Sequence, residues 1–256
     1  DYSSGRNRRD GGLRLFRESS VAERLASFFE WRRGVNKYTR MMDQLVSWIR
    51  GRVSENLGIL VPVSGGSDSA LCFWLCNQAF PNKTLGIYAG ADLRERKWFE
   101  SVGRVRFIDP PPFSSNAEIF RWAKFLEICY HEGRVLIGTR NRMEDLLGGY
   151  SLASRLATVL PLAGVWKSDV LKCCAAIGVP VAITDSSRRA DPDCGRPPEM
   201  AEIPMEIVER FLKVRINSRK VGYLPGVSKD KLGYLEKLYS QNVYKVSLPD
   251  KGPMIE

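Results

Sequence analysis

Residues 57–78 hold the feature that most narrows what this chain can fold into. Leu57 to Val63 is an apolar run of strand length, Ser64-Gly65-Gly66-Ser67-Asp68-Ser69 follows it, and a helical run continues from Ala70 to about Gln78. A strand that passes through paired glycines into a helix opens a βα unit. Gly65 and Gly66 let the backbone approach a ligand closely and take positive φ. The helix start turns its N–H groups and the positive end of its dipole toward an anion. Ser64, Ser67 and Ser69 add hydroxyl donors. Asp68 would repel bare phosphate, so its presence fits Mg²⁺ bridging the phosphates. The loop is neither GxxxxGK[ST] nor GxGxxG, which excludes the Walker loop and the dinucleotide fingerprint. The plain structural alternative is a tight Gly-Gly turn with Ser69 capping the helix.

The same alternation continues down the chain. Thr84 to Ala89 reads as a second strand and Arg104 to Ile108 as a third, closed by Pro110, Pro111 and Pro112. Asn116 to Glu132 is a long amphipathic helix. Arg134 to Ile137 is a fourth strand, followed by Gly138-Thr139 and another helix. Lys167 to Ile177 and Pro204 to Val214 are also helical. Upstream, Ser20 to about Asn56 is helical, with apolar faces at Val21–Trp31 and Met41–Ile49 and a turn at Gly34 to Lys37. Strands alternating with helices predict an α/β fold: a doubly wound, mostly parallel sheet with extra N- and C-terminal helices. Ligands of such sheets sit at the carboxyl ends of the strands, where the Gly-rich turns lie.

Composition removes several classes of function. Apolar residues make up 44% of the chain, too many for a disordered protein. No stretch reaches the roughly 18 apolar residues that a membrane span needs. No charged-then-apolar leader is visible, so a cytoplasmic location is expected. His131 is the single histidine, which excludes multi-histidine zinc sites. The six cysteines include Cys72 and Cys76, four apart among apolar residues, and the adjacent Cys173 and Cys174; neither spacing is CxxC. Buried reduced thiols in a reducing compartment are expected. Lys and Arg number 39 against 29 Asp and Glu, a surplus of ten. That surplus suits a nucleotide or an RNA, or simply a solvated surface. Much of it lies in Arg6, Arg8, Arg9, Arg14 and Arg17, among Ser and Gly, so residues 1–19 read as a flexible basic arm. No RNA-binding motif with interleaved aromatics follows it.

Ser64 to Ser69 resembles the SGGxDS signature of the N-type ATP pyrophosphatases, the PP-loop superfamily with the adenine nucleotide alpha hydrolase-like fold. Its members adenylate a substrate and let a nucleophile displace AMP. Within the superfamily the chain most resembles the ammonia-dependent NAD synthase family. Gly138-Thr139-Arg140-Asn141-Arg142-Met143-Glu144 matches that family's GT…E spacing. Leu160 to Lys167 looks like its P-L-x-x-L-x-K segment, and Ile177 to Pro180 matches its LGVP. Ser186, Ser187, Ala190 and Asp191 echo its PSADL loop, interrupted by Arg188 and Arg189.

The resemblance implies ATP and Mg²⁺ as cofactors. It implies that Asp68 and Glu144 are metal ligands, and that Ser64 to Ser69, Thr139, Lys167 and Ser187 contact ATP. Asp68 and Lys167 are the expected catalytic pair. Read from the residues alone, Glu144 is a first-turn helix carboxylate, and Lys167 opposes the dipole of the helix it starts.

The match covers about 20–213, the expected ATP pyrophosphatase domain; residues 214–256 form an extension of unassigned role. The family's G-[FY]-[FT]-T-K-x-G-D acceptor segment reads here Gly149-Tyr150-Ser151-Leu152-Ala153-Ser154-Arg155-Leu156, without the lysine and the Gly-Asp. ATP activation is therefore better supported than any one acceptor. The leading expectation is an AMP-forming amide ligase that joins ammonia to a small-molecule carboxylate, with the family's homodimer. A PP-loop enzyme that activates a tRNA base for nitrogen or sulfur transfer is the alternative, for which Cys129 and Cys194 are candidate thiols. A non-catalytic nucleotide-binding regulator is the third reading.

Overall fold

The computed structural model describes residues 37–110, 117–186 and 203–246. Two compact units divide the chain, Asp1–Lys37 and Tyr38–Glu256, and the sheet belongs to the second. The basic arm, the apolar face Val21–Trp31, Ser187, Arg188, Arg189 and Cys194 lie outside the described residues. Lys37, expected in a turn, is already helical in α1 (37–50).

Four parallel strands form the sheet: β1 (Gly58–Pro62), β2 (Thr84–Ala89), β3 (Arg104–Ile108) and β4 (Arg134–Leu136), in the order β3-β2-β1-β4. Ile59 pairs with Thr84 on one side and with Val135 on the other. The order reverses after β3, so β4 returns beside β1 and sets their carboxyl ends side by side. An isolated parallel bridge between Ile137 and Val159 extends the β4 edge.

β1 reads as a continuous apolar run because both of its faces are covered. Ile59, Val61 and Val63 join one cluster with α2 (Ser67–Ala79) and α6 (Lys167–Ala176). Leu60 turns to the opposite face, where Phe125 and Cys129 of α4 (Ala117–Glu132) meet Leu136 and Ala157. The doubly wound parallel sheet expected from the sequence is therefore observed. Short connectors complete it: α3 (Arg96–Val102), α5 (Arg142–Leu147), a 3₁₀ turn at Leu152–Leu156, and α7 (Val181–Ser186). None of the described helices is long and apolar enough to cross a membrane.

The C-terminal stretch builds a second apolar cluster. Val208, Phe211 and Leu212 of α8 (Met205–Arg215) and Leu232 and Leu235 of α9 (Lys229–Gln241) close over Met143 and Leu147 of α5. A last short helix, α10 (Val243–Val246), follows. The helix that starts at Arg142 thus has sheet-edge residues at its N-terminus and C-terminal helices along its side.

Candidate active site

The Gly-rich turn lies at the carboxyl end of β1. Gly65 is left-handed at φ 76°, and a Cβ there would stand 3.0 Å from Arg94 Cβ, so the close approach requires glycine. Gly66 departs from expectation. It is extended at φ −100°, because it is the N-cap of α2 and a cap leaves the helical region. The helix begins at Ser67, three residues before the position expected from the sequence. Ser69 is therefore inside the first turn rather than at the cap. Its hydroxyl donates to the Gly66 carbonyl at 2.9 Å and accepts from the Ser64 amide at 3.1 Å. The Ser64 hydroxyl lies 3.2 Å from the same oxygen. These bonds hold the loop closed on itself, with Ser64 exposed, Ser67 fully buried and Asp68 half-buried.

Asp68 is the hub. Lys167, the first residue of α6, is 1% exposed and reaches Ser67 Oγ at 2.8 Å and Asp68 Oδ2 in an ion pair. The dipole-opposed lysine is thus a buried cation held by Ser67 and Asp68 of the Gly-rich turn. The other Asp68 oxygen accepts from Asn141 Nδ2 at 3.0 Å. Asn141 is fully buried. Its Oδ1 accepts from the Met143 and Glu144 amides at 2.9 and 3.1 Å, while Glu144 Oε2 accepts from the Asn141 amide at 3.3 Å. This is a complete capping box at the start of α5.

Glu144 therefore has the local helix role that the residues alone suggested, and Asn141 ties it to Asp68. The Arg142 amide donates to the Val165 carbonyl at 2.9 Å, which joins the starts of α5 and α6. Thr139 stands in the same strand-end turn, directly after Gly138. A Cβ on Gly138 would fall 2.3 Å from Leu160 Cδ2, so that turn is packed tight.

The structure thus brings Ser67, Asp68 and Lys167 into direct contact and connects Glu144 through Asn141. Ser64, Gly65, Gly66 and Ser69 form the turn itself. Asn141 was missed by sequence reasoning, although Asn-x-x-Glu ahead of an apolar pair is a readable capping signal. The donor set also fits Mg²⁺. Carboxylate oxygens are the hard donors this ion takes. Among the described residues no cluster of three or more His, Cys, Asp or Glu forms an all-protein cage. Two carboxylates with phosphate and water completing the shell is the usual way this ion is held.

Residues 148–154 are tied to Arg140 and Lys245. Arg140 lies over the Tyr150 ring at 3.9 Å and donates to Ser154 Oγ at 3.3 Å. The Tyr150 hydroxyl donates to the Lys245 carbonyl, and Lys245 Nζ returns to the Gly148 and Tyr150 carbonyls at 3.2 and 3.3 Å. Burial raises the Tyr150 phenol above its ordinary value. Cysteine chemistry finds no support at Cys129 or Cys174. Burial pushes the Cys129 thiol up to about 11 and the Cys174 thiol up to about 12, so neither supplies a thiolate near neutral pH.

No family model matches the chain. The NH3-dependent NAD+ synthetase of Pyrococcus furiosus is 23% identical to it, covering 86% of this chain and 96% of the relative. That of Pyrococcus horikoshii is 24% identical with the same coverage. The chain is a homologue of these synthetases. Among solved structures, NMN synthetase from Francisella tularensis matches with a TM-score of 0.67 over 85% of this chain and 99% of its own, at 18% identity. The NH3-dependent NAD synthetase from Campylobacter jejuni matches with a TM-score of 0.65, over 84% and 99%, at 16% identity. The homologue has their fold.

Proposed function

We propose that the chain is an ATP-dependent, AMP-forming amide ligase of the NAD synthase type. The observation that carries this reading is the junction at Asp68, where a buried lysine and a buried asparagine converge on the first turn of a helix behind a Gly-rich loop. A structural turn needs no such convergence, and an anion-binding helix start that carries an acid does. The NH3-dependent NAD+ synthetases found among its relatives add independent support.

In this reading the α2 amides, Ser67 and Lys167 hold the ATP phosphates. Asp68 and Glu144 would hold Mg²⁺, which when bound neutralises phosphate charge. The acceptor carboxylate attacks the α-phosphorus, the bond to the β-phosphate oxygen breaks, and pyrophosphate leaves. Lys167, desolvated and preorganised, stabilises the charge that grows on the departing oxygen. Ammonia then attacks the acyl carbon of the adenylate, AMP departs with the carbon–oxygen electron pair, and the nitrogen loses a proton to solvent. The Arg140–Tyr150 segment borders the acceptor. The Thr139 and Ser187 contacts with ATP remain part of the proposal.

The homodimer belongs to the same reading. Ile119, Phe120 and Tyr130 on α4 are 57, 52 and 84% exposed, an apolar surface that a second copy would cover. Sedimentation of wild type against Phe120→Asp tests it, with a shift to monomer expected.

The decisive assay supplies ATP, Mg²⁺ and ammonium with the carboxylate precursor of NAD or of NMN, and measures AMP and amide by mass spectrometry. Amide formation that is lost in Asp68→Ala is expected. Salt-dependent tRNA binding with ATP turnover but no amide would move the reading to a nucleic-acid acceptor. Failure to bind ATP would overturn it.

A further inference from the structure

The N-terminus of α6 lacks a cap of its own. Its N-cap residue is Trp166, whose side chain accepts no hydrogen bond from the helix. The orphan donors of a first turn must then find partners elsewhere. Glu209, distant in the chain on α8, provides one. Its Oε2 accepts from the Ser168 amide at 3.2 Å and its Oε1 from the Ser168 hydroxyl at 2.8 Å. Lys213, one turn further along α8, donates to the same Oε1 at 2.6 Å. Glu209 itself is buried, while the Lys213 side chain reaches it from a half-exposed position.

We propose that Glu209 is a positioning residue that keeps the Lys167 ammonium on Ser67 and Asp68 by fixing the first turn of α6. This inference rests on the proposed function only for its catalytic consequence. Lys167 precedes Ser168, so a hold on the Ser168 amide and hydroxyl fixes the backbone from which the lysine extends. A cation at the first position of a helix is opposed by the dipole, and a carboxylate at the same end offsets that opposition. The support is also doubled: Lys213 faces the Trp166 ring at 5.0 Å, and Arg142 faces it at 4.6 Å. One surface of α8 therefore braces the residues on both sides of Lys167.

The consequence reaches beyond one helix. The apolar cluster that contains Phe211 and Leu212 of α8 also contains Met143 and Leu147 of α5, the helix that starts with the Asn141–Glu144 box. The same C-terminal helices thus hold the elements that carry Glu144 and Lys167. They act as a buttress of the site.

Lysine labelling in the ligand-free protein tests the link without assuming any activity. Wild type and Glu209→Ala are treated with an amine-acetylating reagent, and the rate at Lys167 is read by peptide mass spectrometry. Labelling at Lys167 faster by about tenfold or more in Glu209→Ala is expected, with restoration toward wild type in Glu209→Gln, which still accepts from Ser168. In the amide assay, kcat should fall by about tenfold while the KM of the acceptor carboxylate stays within about twofold. Unchanged labelling at Lys167 overturns the proposal whatever the assay gives. Should Glu209→Ala fail to fold, Glu209→Gln combined with Ser168→Ala carries the same comparison. A wild type that shields Lys167 yet forms no AMP with any carboxylate overturns the functional reading, and the labelling result still decides the link.

Discussion

Asn141 donates its side-chain amide to Asp68 across 3.0 Å, joining residues 73 positions apart in the chain. The same side chain caps α5 through its oxygen, so one residue serves a helix end and the candidate catalytic carboxylate. These duties separate by mutation. Asn141→Asp keeps a capping oxygen but cannot donate, and it sets a second negative charge beside Asp68. Because Asn141 is fully buried, that charge should destabilise Asn141→Asp by about 3 kcal/mol, and AMP formation should fall by about a hundredfold. Asn141→Ala loses the cap as well and should cost about 1 kcal/mol or more. Paired denaturation and turnover measurements on the two variants check this.

The Lys167–Asp68 pair should behave as a buried ion pair. Lys167→Met leaves Asp68, whose side chain is 16% exposed, without its cation and should destabilise the fold by about 3 kcal/mol. Lys167→Met with Asp68→Asn removes both charges and should regain most of that loss. Neither variant should release pyrophosphate. Urea titration of the two singles and the double gives the cycle, and additive losses would contradict it.

Much of this geometry was legible in the chain. The strand–turn–helix at 57–78 and the parallel sheet follow from local pattern, and the attention to Lys167 comes from the family resemblance. Asn141 was readable as a cap, yet its reach to Asp68 depends on β4 lying beside β1, which no local pattern states. Glu209 was less legible still. With Lys213 four residues on, it resembles an ordinary solvated pair on a helix surface, and only the packing of α8 against α6 buries it. The shift of α2 to start at Ser67 has the same origin. Gly66 caps where Ser69 was expected to, because the Ser69 hydroxyl is engaged in closing the loop.

Acid should expose one further staple. Glu132, at the end of α4, binds Arg106 of β3 and Arg134 of β4, whose side chains hold its carboxyl well down, at about 2. A carboxyl depressed in the folded state stabilises above its ordinary value of 4.5, and that contribution is lost as pH falls toward 2. The stability gap between wild type and Glu132→Gln should therefore be constant near neutrality and close between pH 4.5 and 2. Chemical denaturation across that range measures it. A gap that persists at the acid end would rule out the staple.

The described thiols should be silent in the folded protein. Cys72, Cys76, Cys129, Cys173 and Cys174 are buried and outside any disulfide. Iodoacetamide at pH 8 should leave them unlabelled in native protein and modify all of them in denaturant, as peptide mapping would show. Cys129→Ala should keep its AMP formation within about twofold of wild type, since its thiol stays protonated.

Lys245 and Tyr150 grip each other's backbone, and a Cβ on Gly148 would lie 2.5 Å from Asn242 Cβ. Two stretches nearly a hundred residues apart are thereby bound to a common history. A length change or a bulky substitution at 148–150 has to be matched near 242–245, so divergence in the acceptor segment and at the tail is expected to accumulate jointly across descendants of this chain. Asp68, Asn141 and Lys167 make none of these hydrogen bonds, so in the proposed reaction the ATP-handling side is expected to stay constant while the acceptor side drifts.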